Sequence, residues 1–381
     1  MSGILAPAHV YVHVPFCGRR CSYCDFSIAV RKDVPVRAFI DAIMAEIVTR
    51  GIQPNPTLRT IYLGGGTPSK LGGAGIAELV AGLQSSLVGP GLSTSPQALE
   101  ITIEVNPEDV SEGACGEWVA AGVNRVSLGV QSFDPAVLQW MHRGHDAAMV
   151  EAAVGMLRQA GIADLSLDLI FALPPELPRD WTRDLAQALE LEPTHLSLYG
   201  LTVEPHTPLG RWRDRGTVHE APEERYESEY LEAHRTLVQA GFEHYEVSNF
   251  GLPGRHSRHN SSYWTGVPYL GLGPSAHGFD GHVRRWNIGA YAAWEAAARE
   301  GKDPLDGSEA IGTSESTAEA VYLGLRTSDG LVIQQNEVKT VTSWIEQGWG
   351  TLSDGRLRLR PEGWLRLDSL AAALTSLRSR S

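Results

Sequence analysis

The chain has 381 residues, a formal net charge of −13 and a hydrophobic fraction of 43 %. A chain of this length can bury a full core and is expected to form about two domains. The negative net charge argues against general affinity for nucleic acid or for an anionic membrane surface. Four cysteines in this length do not make a disulfide framework. The sequence shows neither a signal-peptide pattern nor an apolar run long enough to span a bilayer. These features predict a cytoplasmic protein.

Apolar runs rich in β-branched residues alternate with helical patterns through the first part of the chain. The runs predict strands over residues 10–14, 60–63, 99–105, 125–130, 165–171 and 195–198. An apolar stripe from Val36 to Ile47 has helical spacing, and further helices are predicted over residues 76–87, 135–141, 147–160, 181–191 and 223–240. This alternation favours an α/β fold with a parallel sheet and right-handed crossovers. Six such units indicate an open or partial (β/α) barrel, whose functional loops lie at the carboxyl ends of its strands.

Three cysteines follow the first predicted strand with the spacing Cys-x3-Cys-x2-Cys, at Cys17, Cys21 and Cys24. Three thiolates from one loop can hold three corners of a [4Fe–4S] cluster, which leaves the fourth iron to a ligand from outside the protein. A zinc site and simple buried thiols are the alternatives. Zinc sites usually have four ligands, often from two Cys-x2-Cys pairs, and this sequence has no second pair. The remaining cysteine, Cys115, is predicted to be a small buried residue.

The second predicted strand ends in three consecutive glycines, Gly64, Gly65 and Gly66, followed by Thr67. Glycines at a strand end let the backbone approach a ligand closely because they have no Cβ atom. Alone, this run would be interpreted as an ordinary turn. Together with the cysteine loop it resembles the radical S-adenosylmethionine (SAM) superfamily. That resemblance implies that the glycines hold the methionine end of SAM, whose amine and carboxylate chelate the fourth iron of the cluster.

Polar side chains also lie on the later predicted strands. Glu104 is at the end of the third, Gln131 follows the fourth, and Asp168 lies in the fifth. Burying such polar groups inside an apolar sheet costs free energy unless they form hydrogen bonds. One of them could simply cap a neighbouring helix. Several on successive strands predict a shared polar ligand, and a ribose with an amino acid moiety offers the matching donors and acceptors.

The pattern changes after about residue 301, where residues 302–307 are predicted to form a linker. Helices over 316–325 and 336–347, a hairpin over 352–359 and a last helix over 367–377 follow. This order resembles a winged-helix unit. From Ser314 to Ser381 there are eight Lys or Arg and eight Asp or Glu residues, so the segment is neutral. Without a basic face, packing or binding of a protein partner is favoured over nucleic-acid binding.

As a set, the motifs resemble the oxygen-independent coproporphyrinogen III oxidase-like branch of the radical SAM proteins, from Tyr11 to the C-terminal unit. The resemblance implies a partial (β/α)6 TIM-like barrel of the radical SAM type with a small C-terminal winged-helix-like α+β domain. We divide the chain accordingly into residues 1–240 for the barrel, 241–302 for a connecting segment and 303–381 for the last domain. The residues implied to bind SAM are Tyr11, Tyr23, Gly65, Gly66, Thr67, Glu104, Gln131, Arg143 and Asp168. Packing for Tyr23 and a surface ion pair for Arg143 are the alternatives.

Two departures separate the sequence from the true oxidases of that branch. Those resemble Cys-x3-Cys-x2-Cys-x-Cys, and the place of their last cysteine is Phe26 here. They also carry a long N-terminal segment, whereas ten residues precede Tyr11. The stretch His-Asn-Ser-Ser-Tyr-Trp, with His259, Asn260, Tyr263 and Trp264, instead matches the His-Asn-x-x-Tyr-Trp motif of a haem-chaperone branch.

The chemistry of that stretch suits an iron porphyrin. An imidazole can ligate haem iron axially, and Tyr or Trp can cover the apolar porphyrin face. Arg255 and Arg258 could pair with the haem propionates. A hydrogen-bonded structural role is the alternative for His259. His277 is a weaker ligand candidate with a structural role expected.

The resemblance therefore implies a haem chaperone that binds haem and transfers it to acceptor haemoproteins, with respiratory proteins among the acceptors considered. It retains a SAM-coordinated [4Fe–4S] cluster, and no catalytic residue is predicted. Homodimer formation and a peripheral membrane contact stay open, and nucleic acid is not an expected partner. The alternative is an enzyme that oxidatively decarboxylates coproporphyrinogen III through a 5′-deoxyadenosyl radical, an activity that we do not expect. A radical SAM enzyme with another substrate is the third hypothesis.

Overall fold

The computed structural model describes residues 4–88 and 99–379. Its strands, in chain order, are β1 Ile4–Leu5, β2 His9–Val14, β3 Phe16–Cys17, β4 Ala29–Val30, β5 Ile52–Gln53, β6 Thr60–Gly65, β7 Glu100–Val105, β8 Arg125–Gln131, β9 Asp164–Phe171, β10 His195–Gly200, β11 Glu243–Glu246, β12 Asn249–Gly251, β13 Leu270–Leu272, β14 His277–Phe279, β15 Val283–Asn287, β16 Leu305–Ala310, β17 Leu331–Val332, β18 Gly350–Ser353 and β19 Arg356–Leu359.

The α-helices, in chain order, are α1 Val36–Thr49, α2 Gly72–Leu87, α3 Glu112–Ala120, α4 Pro135–Trp140, α5 Ala147–Gln159, α6 Trp181–Glu190, α7 Pro208–Asp214, α8 Glu223–Gln239, α9 Arg258–Trp264, α10 Tyr291–Arg299, α11 Thr313–Arg326, α12 Val338–Glu346, α13 Pro361–Trp364 and α14 Leu367–Arg378. Across residues 4–88 and 99–379, no helix is long and apolar enough to cross a membrane.

The six predicted strands are confirmed, and they form the centre of one nine-stranded sheet. They correspond to β2, β6, β7, β8, β9 and β10, which pair in parallel with their neighbours in that order. Strand β13 extends the sheet in parallel beyond β2, and β12 and β11 extend it antiparallel beyond β10. The fold is therefore the predicted α/β partial barrel, with three short edge strands that the sequence pattern did not indicate.

The central strands direct alternate side chains to two different environments. Apolar residues such as Val12, Leu63 and Leu128 are fully buried in the core that also contains the inner faces of α1 and α2. The intervening positions are polar or aromatic and contact each other through hydrogen bonds and stacked rings. Because side chains of a strand alternate between its faces, the inward face of the barrel is a polar layer of Tyr11, Tyr62, Glu104, Ser127, Asp168 and Ser197.

The predicted linker over residues 302–307 is wrong in its second half. Residues Leu305–Ala310 form β16, which pairs antiparallel with β15 and completes a three-stranded sheet with β14. Most β16 side chains are exposed, so the strand has no apolar alternation by which a sequence could reveal it. The predicted domain boundary at residue 303 therefore lies immediately before a strand that pairs with the preceding segment.

The C-terminal elements lie close to their predicted places. Helices α11 and α12, the β18–β19 hairpin and helix α14 match the four predicted elements to within a few residues at each end. The hairpin turns at Asp354 and Gly355, both in the left-handed backbone region with φ of 51° and 71°. A buried ion pair of 2.8 Å between Arg326 and Glu246 joins α11 to the edge of the barrel sheet. The winged-helix comparison itself stays a prediction.

Candidate functional site

The cysteine loop follows β2, at the carboxyl end of the barrel strands. Cys17 lies on β3 and is buried, while Cys21 and Cys24 are partly exposed in the turns that follow. The loop is attached to the barrel through Ser22, whose N–H donates to Met141 O (3.2 Å) and whose carbonyl accepts from Leu209 N (2.9 Å). All three are free thiols. In the part of the chain that the structure describes, no three His, Cys, Asp or Glu side chains are close enough together to hold a metal ion.

The surroundings of the loop nevertheless suit cysteine-bound sulfur. Thr67 Oγ1 lies 3.4 Å from Cys17 Sγ, and Arg143 Nη1 donates to Cys21 Sγ at 3.5 Å. Arg143 Nε and Ser22 Oγ are buried without a hydrogen-bond partner. Hydrogen-bond donors to the sulfurs stabilise a negatively charged cluster. Arg143 Nε and Ser22 Oγ can donate to further acceptors. The donor set therefore fits an iron–sulfur cluster held by the three cysteines.

Burial raises the pKa of the Cys17 thiol, and it raises the pKa of Cys24 to about 11. Without metal these two thiols therefore keep their protons at neutral pH. Metal ligation requires the thiolate, so cluster assembly must release protons from this loop.

Each glycine of the Gly64–Gly66 run is required by a close approach inside the protein. Gly65 has φ of 108°, and a Cβ atom there would lie 2.4 Å from the His13 ring. On Gly66 it would lie 2.8 Å from the Pro15 carbonyl carbon, and on Gly64 2.8 Å from Glu104 Oε1. These distances are shorter than van der Waals contact, so the glycines allow the end of β6 to pack against β2 and β7.

Glu104 lies half-buried at the centre of this polar layer. Its Oε1 accepts from the Tyr62 hydroxyl at 2.9 Å, and its Oε2 accepts from the Gly65 N–H at 3.0 Å. Burial raises the pKa of its carboxyl group, and the two hydrogen bonds oppose that change. The neighbouring Tyr11 ring stacks on Tyr62, and its hydroxyl lies 3.0 Å from His13 Nδ1.

Asp168 has hydroxyl partners that the sequence analysis missed. Its carboxylate accepts from Ser127 Oγ at 2.8 and 3.0 Å and from Ser166 Oγ at 3.3 Å. Burial raises the pKa of Asp168 to about 7, against the effect of these serines. Ser127 and Ser166 alternate with apolar residues along β8 and β9, so a period of two in the sequence could have indicated them.

Arg143 and Gln131 lie over the carboxyl end of β8. Arg143 Nη2 donates to Asn106 Oδ1 and to Gly129 O, both at 2.7 Å. An added Cβ at Gly129 would lie 3.2 Å from both Arg143 Nη2 and Gln131 Nε2. Arg143 is thus half-buried and fixed by hydrogen bonds, unlike a surface ion pair, and Asn106 is a further functional candidate. Tyr23 packs partly buried beside Met141 and Ile170, with Trp140.

A cavity of about 390 Å³ opens among the cysteine loop, the glycine run and helix α9. Of the predicted SAM residues, Tyr11, Gly65 and Glu104 line it, and His13 and Phe26 contribute to its wall. The other six lie outside this lining: Tyr23, Gly66, Thr67, Gln131, Arg143 and Asp168. The structure therefore brings the predicted residues to one end of the barrel but divides them between this cavity and the adjacent strand ends.

Helix α9 carries the His-Asn-x-x-Tyr-Trp stretch and begins near the opposite end of the barrel. The His259 and Arg258 N–H groups donate to Glu100, the first residue of β7. Ser257 caps the helix by accepting from the Asn260 N–H at 3.3 Å. The helix therefore enters the barrel from the amino ends of β6 and β7.

His259 is completely buried, and both of its ring nitrogens are engaged. Nδ1 lies 2.7 Å from Thr60 Oγ1, and Nε2 lies 2.9 Å from the Tyr263 hydroxyl. Its ring stacks on Tyr62 with centroids 4.9 Å apart. Burial lowers the pKa of His259 to about 3, so the imidazole is neutral. Axial ligation of haem by His259 would require one of these hydrogen bonds to break.

Tyr263 and Trp264 reach a second cavity, of about 930 Å³, between α9 and the C-terminal helices. Trp264 Nε1 is buried without a hydrogen-bond partner, and the Arg326 guanidinium lies 4.1 Å from the Trp264 ring centroid. His259 and Asn260 do not line this cavity, and neither do Arg255 and Arg258. Arg255 instead pairs with Asp164 at 2.8 Å.

Comparisons with known proteins agree with this geometry. Residues 11–189 match the Radical SAM superfamily. The chain is 35 % identical over 365 residues to the heme chaperone HemW of Synechocystis sp., covering 91 % of this chain and 86 % of that protein. It is 35 % identical over 382 residues to the heme chaperone HemW of Mycobacterium tuberculosis, covering 97 % and 95 %. The chain belongs to the HemW family of radical SAM proteins.

The fold is also similar to a solved enzyme structure. Coproporphyrinogen III oxidase (HemN) from Escherichia coli, described as a radical SAM enzyme, superposes with a TM-score of 0.78. The match covers 98 % of this chain and 91 % of that chain at 22 % identity. At this identity the similarity establishes the fold alone.

Proposed function

We propose that the protein is a haem chaperone, which binds haem at the His-Asn-x-x-Tyr-Trp stretch and passes it to acceptor haemoproteins. The observation that carries the proposal is the cavity of about 930 Å³ into which Tyr263 and Trp264 of that stretch project. Aromatic rings cover an apolar porphyrin face well, and both rings of that stretch belong to the cavity lining. The relatives named heme chaperone HemW support the same assignment.

The second part of the proposal concerns the resident cofactors. Cys17, Cys21 and Cys24 would hold a [4Fe–4S] cluster, and SAM would bind its fourth iron, where reductive cleavage can generate a 5′-deoxyadenosyl radical. Thr67 and Arg143 hold the cysteine sulfurs by hydrogen bonds. Tyr11, Gly65 and Glu104 offer the walls of a polar cavity beside the loop, and Arg143 and Asp168 support the neighbouring strand ends.

The proposal is tested by titrating the anaerobically reconstituted protein with haem and, in parallel, supplying it with coproporphyrinogen III. We expect one haem per chain, with no consumption of the porphyrinogen. The alternative function, oxidative decarboxylation, predicts the reverse outcome. Homodimer formation and the domain bounds at residues 240 and 302 are further parts of the proposal. Sedimentation measures the first, and limited proteolysis measures the second.

Removing the charge of Glu104 or Asp168 should weaken SAM binding. Each carboxylate is half-buried and holds hydroxyl or N–H donors in place, and loss of such a hydrogen-bond partner costs about 1–3 kcal/mol. Glu104→Gln and Asp168→Asn should therefore each raise the Kd for SAM in calorimetry. Glu309→Gln, an exposed change on β16, is the matched control. Unchanged SAM affinity in both the Glu104 and the Asp168 variant would mean that SAM binds elsewhere.

The Asp168 carboxyl group predicts that both SAM affinity and folding stability depend on pH. Burial raises the pKa of Asp168 from 3.8 to about 7, so its proton is lost around neutral pH in the folded protein. Because SAM is cationic at sulfur, ionised Asp168 attracts it, and SAM affinity should increase from about pH 6 to about pH 8. The folded protein retains this proton more strongly than the unfolded chain does. The protonated Asp168 carboxyl therefore adds to the free energy of unfolding below about pH 4, and this contribution is lost as the pH rises through about 7. Asp168→Asn should flatten both profiles.

A further inference from the structure

The cavity beside α9 is a composite of barrel and C-terminal elements. Tyr263 and Trp264 come from α9, Phe279 from β14, Tyr322 from α11 and Ala371 from α14. Most of the side chains around it are aromatic or aliphatic, and its volume of about 930 Å³ lies in the range of pockets that hold cofactor-sized ligands. The C-terminal helices therefore form the wall opposite the His-Asn-x-x-Tyr-Trp stretch.

Among the described residues, His259 and His277 are the two histidines considered as ligands at this cavity, and His277 is the one in its lining. His259 lies behind Tyr263, with both ring nitrogens engaged by Thr60 and Tyr263. His277, on β14, lines this cavity as well as the smaller one at the barrel mouth. Its ring lies against Trp286, with centroids 5.8 Å apart and planes inclined by 26°.

The His277 imidazole is available as a ligand. Within residues 4–88 and 99–379, neither of its ring nitrogens makes a hydrogen bond, in contrast to those of His259. Burial, together with Arg284, lowers the pKa of His277, so the ring is neutral and keeps a lone pair. A neutral imidazole facing an apolar cavity has the chemistry of an axial ligand to haem iron.

The charges at the cavity fix how such a ligand would lie. Arg284 is the cation of the lining, and it pairs with Glu319 at 2.9 Å. Asp368 on α14 adds a second carboxylate to the same wall. Haem propionates would be repelled by these two carboxylates, and Arg284 is already paired with one of them, so the favourable position of the propionates is toward solvent.

We propose that haem occupies this composite cavity with His277 as the axial ligand to its iron and with α11 and α14 as its opposite wall. His259 then acts as a positioning residue, whose hydrogen bond holds Tyr263 at the cavity. The inference rests on the proposed haem binding and adds the ligand and the C-terminal wall to it.

Comparison of haem with iron-free protoporphyrin IX tests the ligand, because the latter has no iron to coordinate. His277→Ala should weaken haem binding by roughly tenfold or more and shift the Soret band, while protoporphyrin IX binds as to the parent. His282→Ala, on the adjacent turn of the same hairpin, is the matched control and should change neither affinity. Ala372→Trp, which adds an indole to the exposed side of α14, should weaken the binding of both porphyrins.

Four outcomes would overturn the inference. His277→Ala could bind haem with the Soret band of the parent, or it could lose both porphyrins equally, which would give His277 a structural role. Ala372→Trp could leave both affinities unchanged, which would exclude the C-terminal wall. If His259→Gln alone removed the iron–imidazole signature in EPR, His259 would be the ligand. Failure of the parent protein to bind any haem would instead overturn the proposed function.

Discussion

Replacement of Cys17, Cys21 or Cys24 by alanine is expected to abolish the iron–sulfur cluster. With three protein ligands and no spare thiol in the loop, each cysteine is indispensable to a [4Fe–4S] cluster. After anaerobic reconstitution the parent should contain about four irons per chain, and its EPR signal should change when SAM is added. Each variant should lose the iron and the signal together.

Cys115→Ala is the control for that experiment. Cys115 is fully buried on α3, as predicted, and belongs to the hydrophobic core. Its loss should cost some stability and leave the iron content unchanged. Stoichiometric zinc with no iron in the reconstituted parent would contradict the cluster proposal and favour the zinc alternative.

His259→Ala is expected to have the largest effect on folding stability. The change removes a completely buried ring between Thr60, Tyr62 and Tyr263 and leaves the Tyr263 hydroxyl without its partner. A cavity of that size together with an unsatisfied polar group should lower the free energy of unfolding by about 3–5 kcal/mol. Urea unfolding followed by tryptophan fluorescence measures this change.

Tyr263→Phe and His282→Ala calibrate the result. Tyr263→Phe keeps the ring but leaves His259 Nε2 unpaired, so it should cost about 1–2 kcal/mol. His282 is exposed, and its replacement should change the free energy of unfolding by less than about 0.5 kcal/mol. If His259→Ala were as stable as His282→Ala, the histidine would not have the buried, doubly bonded place that the structure gives it.

The architecture could be predicted largely because parallel strands are buried on both faces. Runs such as 60–63 and 125–130 are therefore apolar and β-branched enough to be recognised, and the helices between them have clear 3.6-residue periods. Strand β16 has none of these signals, since its side chains are exposed and only its backbone is paired. Strands β12 and β13 have three residues each, too few to show a period.

Only those parts of the site whose residues are contiguous, within one loop or at one strand end, could be predicted from the sequence. The cysteine spacing and the glycine run are contiguous, so they indicated a shared site directly. The environment of His259 depends on Thr60 and Tyr62, which are about two hundred residues away in sequence. No local sequence pattern reveals that both His259 ring nitrogens form hydrogen bonds. Likewise, the place of His277 at two cavities follows from the pairing of β14 with β15, two strands within the predicted connecting segment.

Haem transfer to an acceptor tests the central claim most directly. The haem-loaded, reconstituted protein is mixed with a soluble apocytochrome of the b type, and the Soret band of the acceptor is followed at increasing acceptor concentrations. A chaperone that hands over haem by direct contact should transfer it at a rate that increases with acceptor concentration, without decarboxylating coproporphyrinogen III in a parallel assay. Transfer no faster than spontaneous haem release, together with turnover of coproporphyrinogen III, would contradict the account and identify an oxidase.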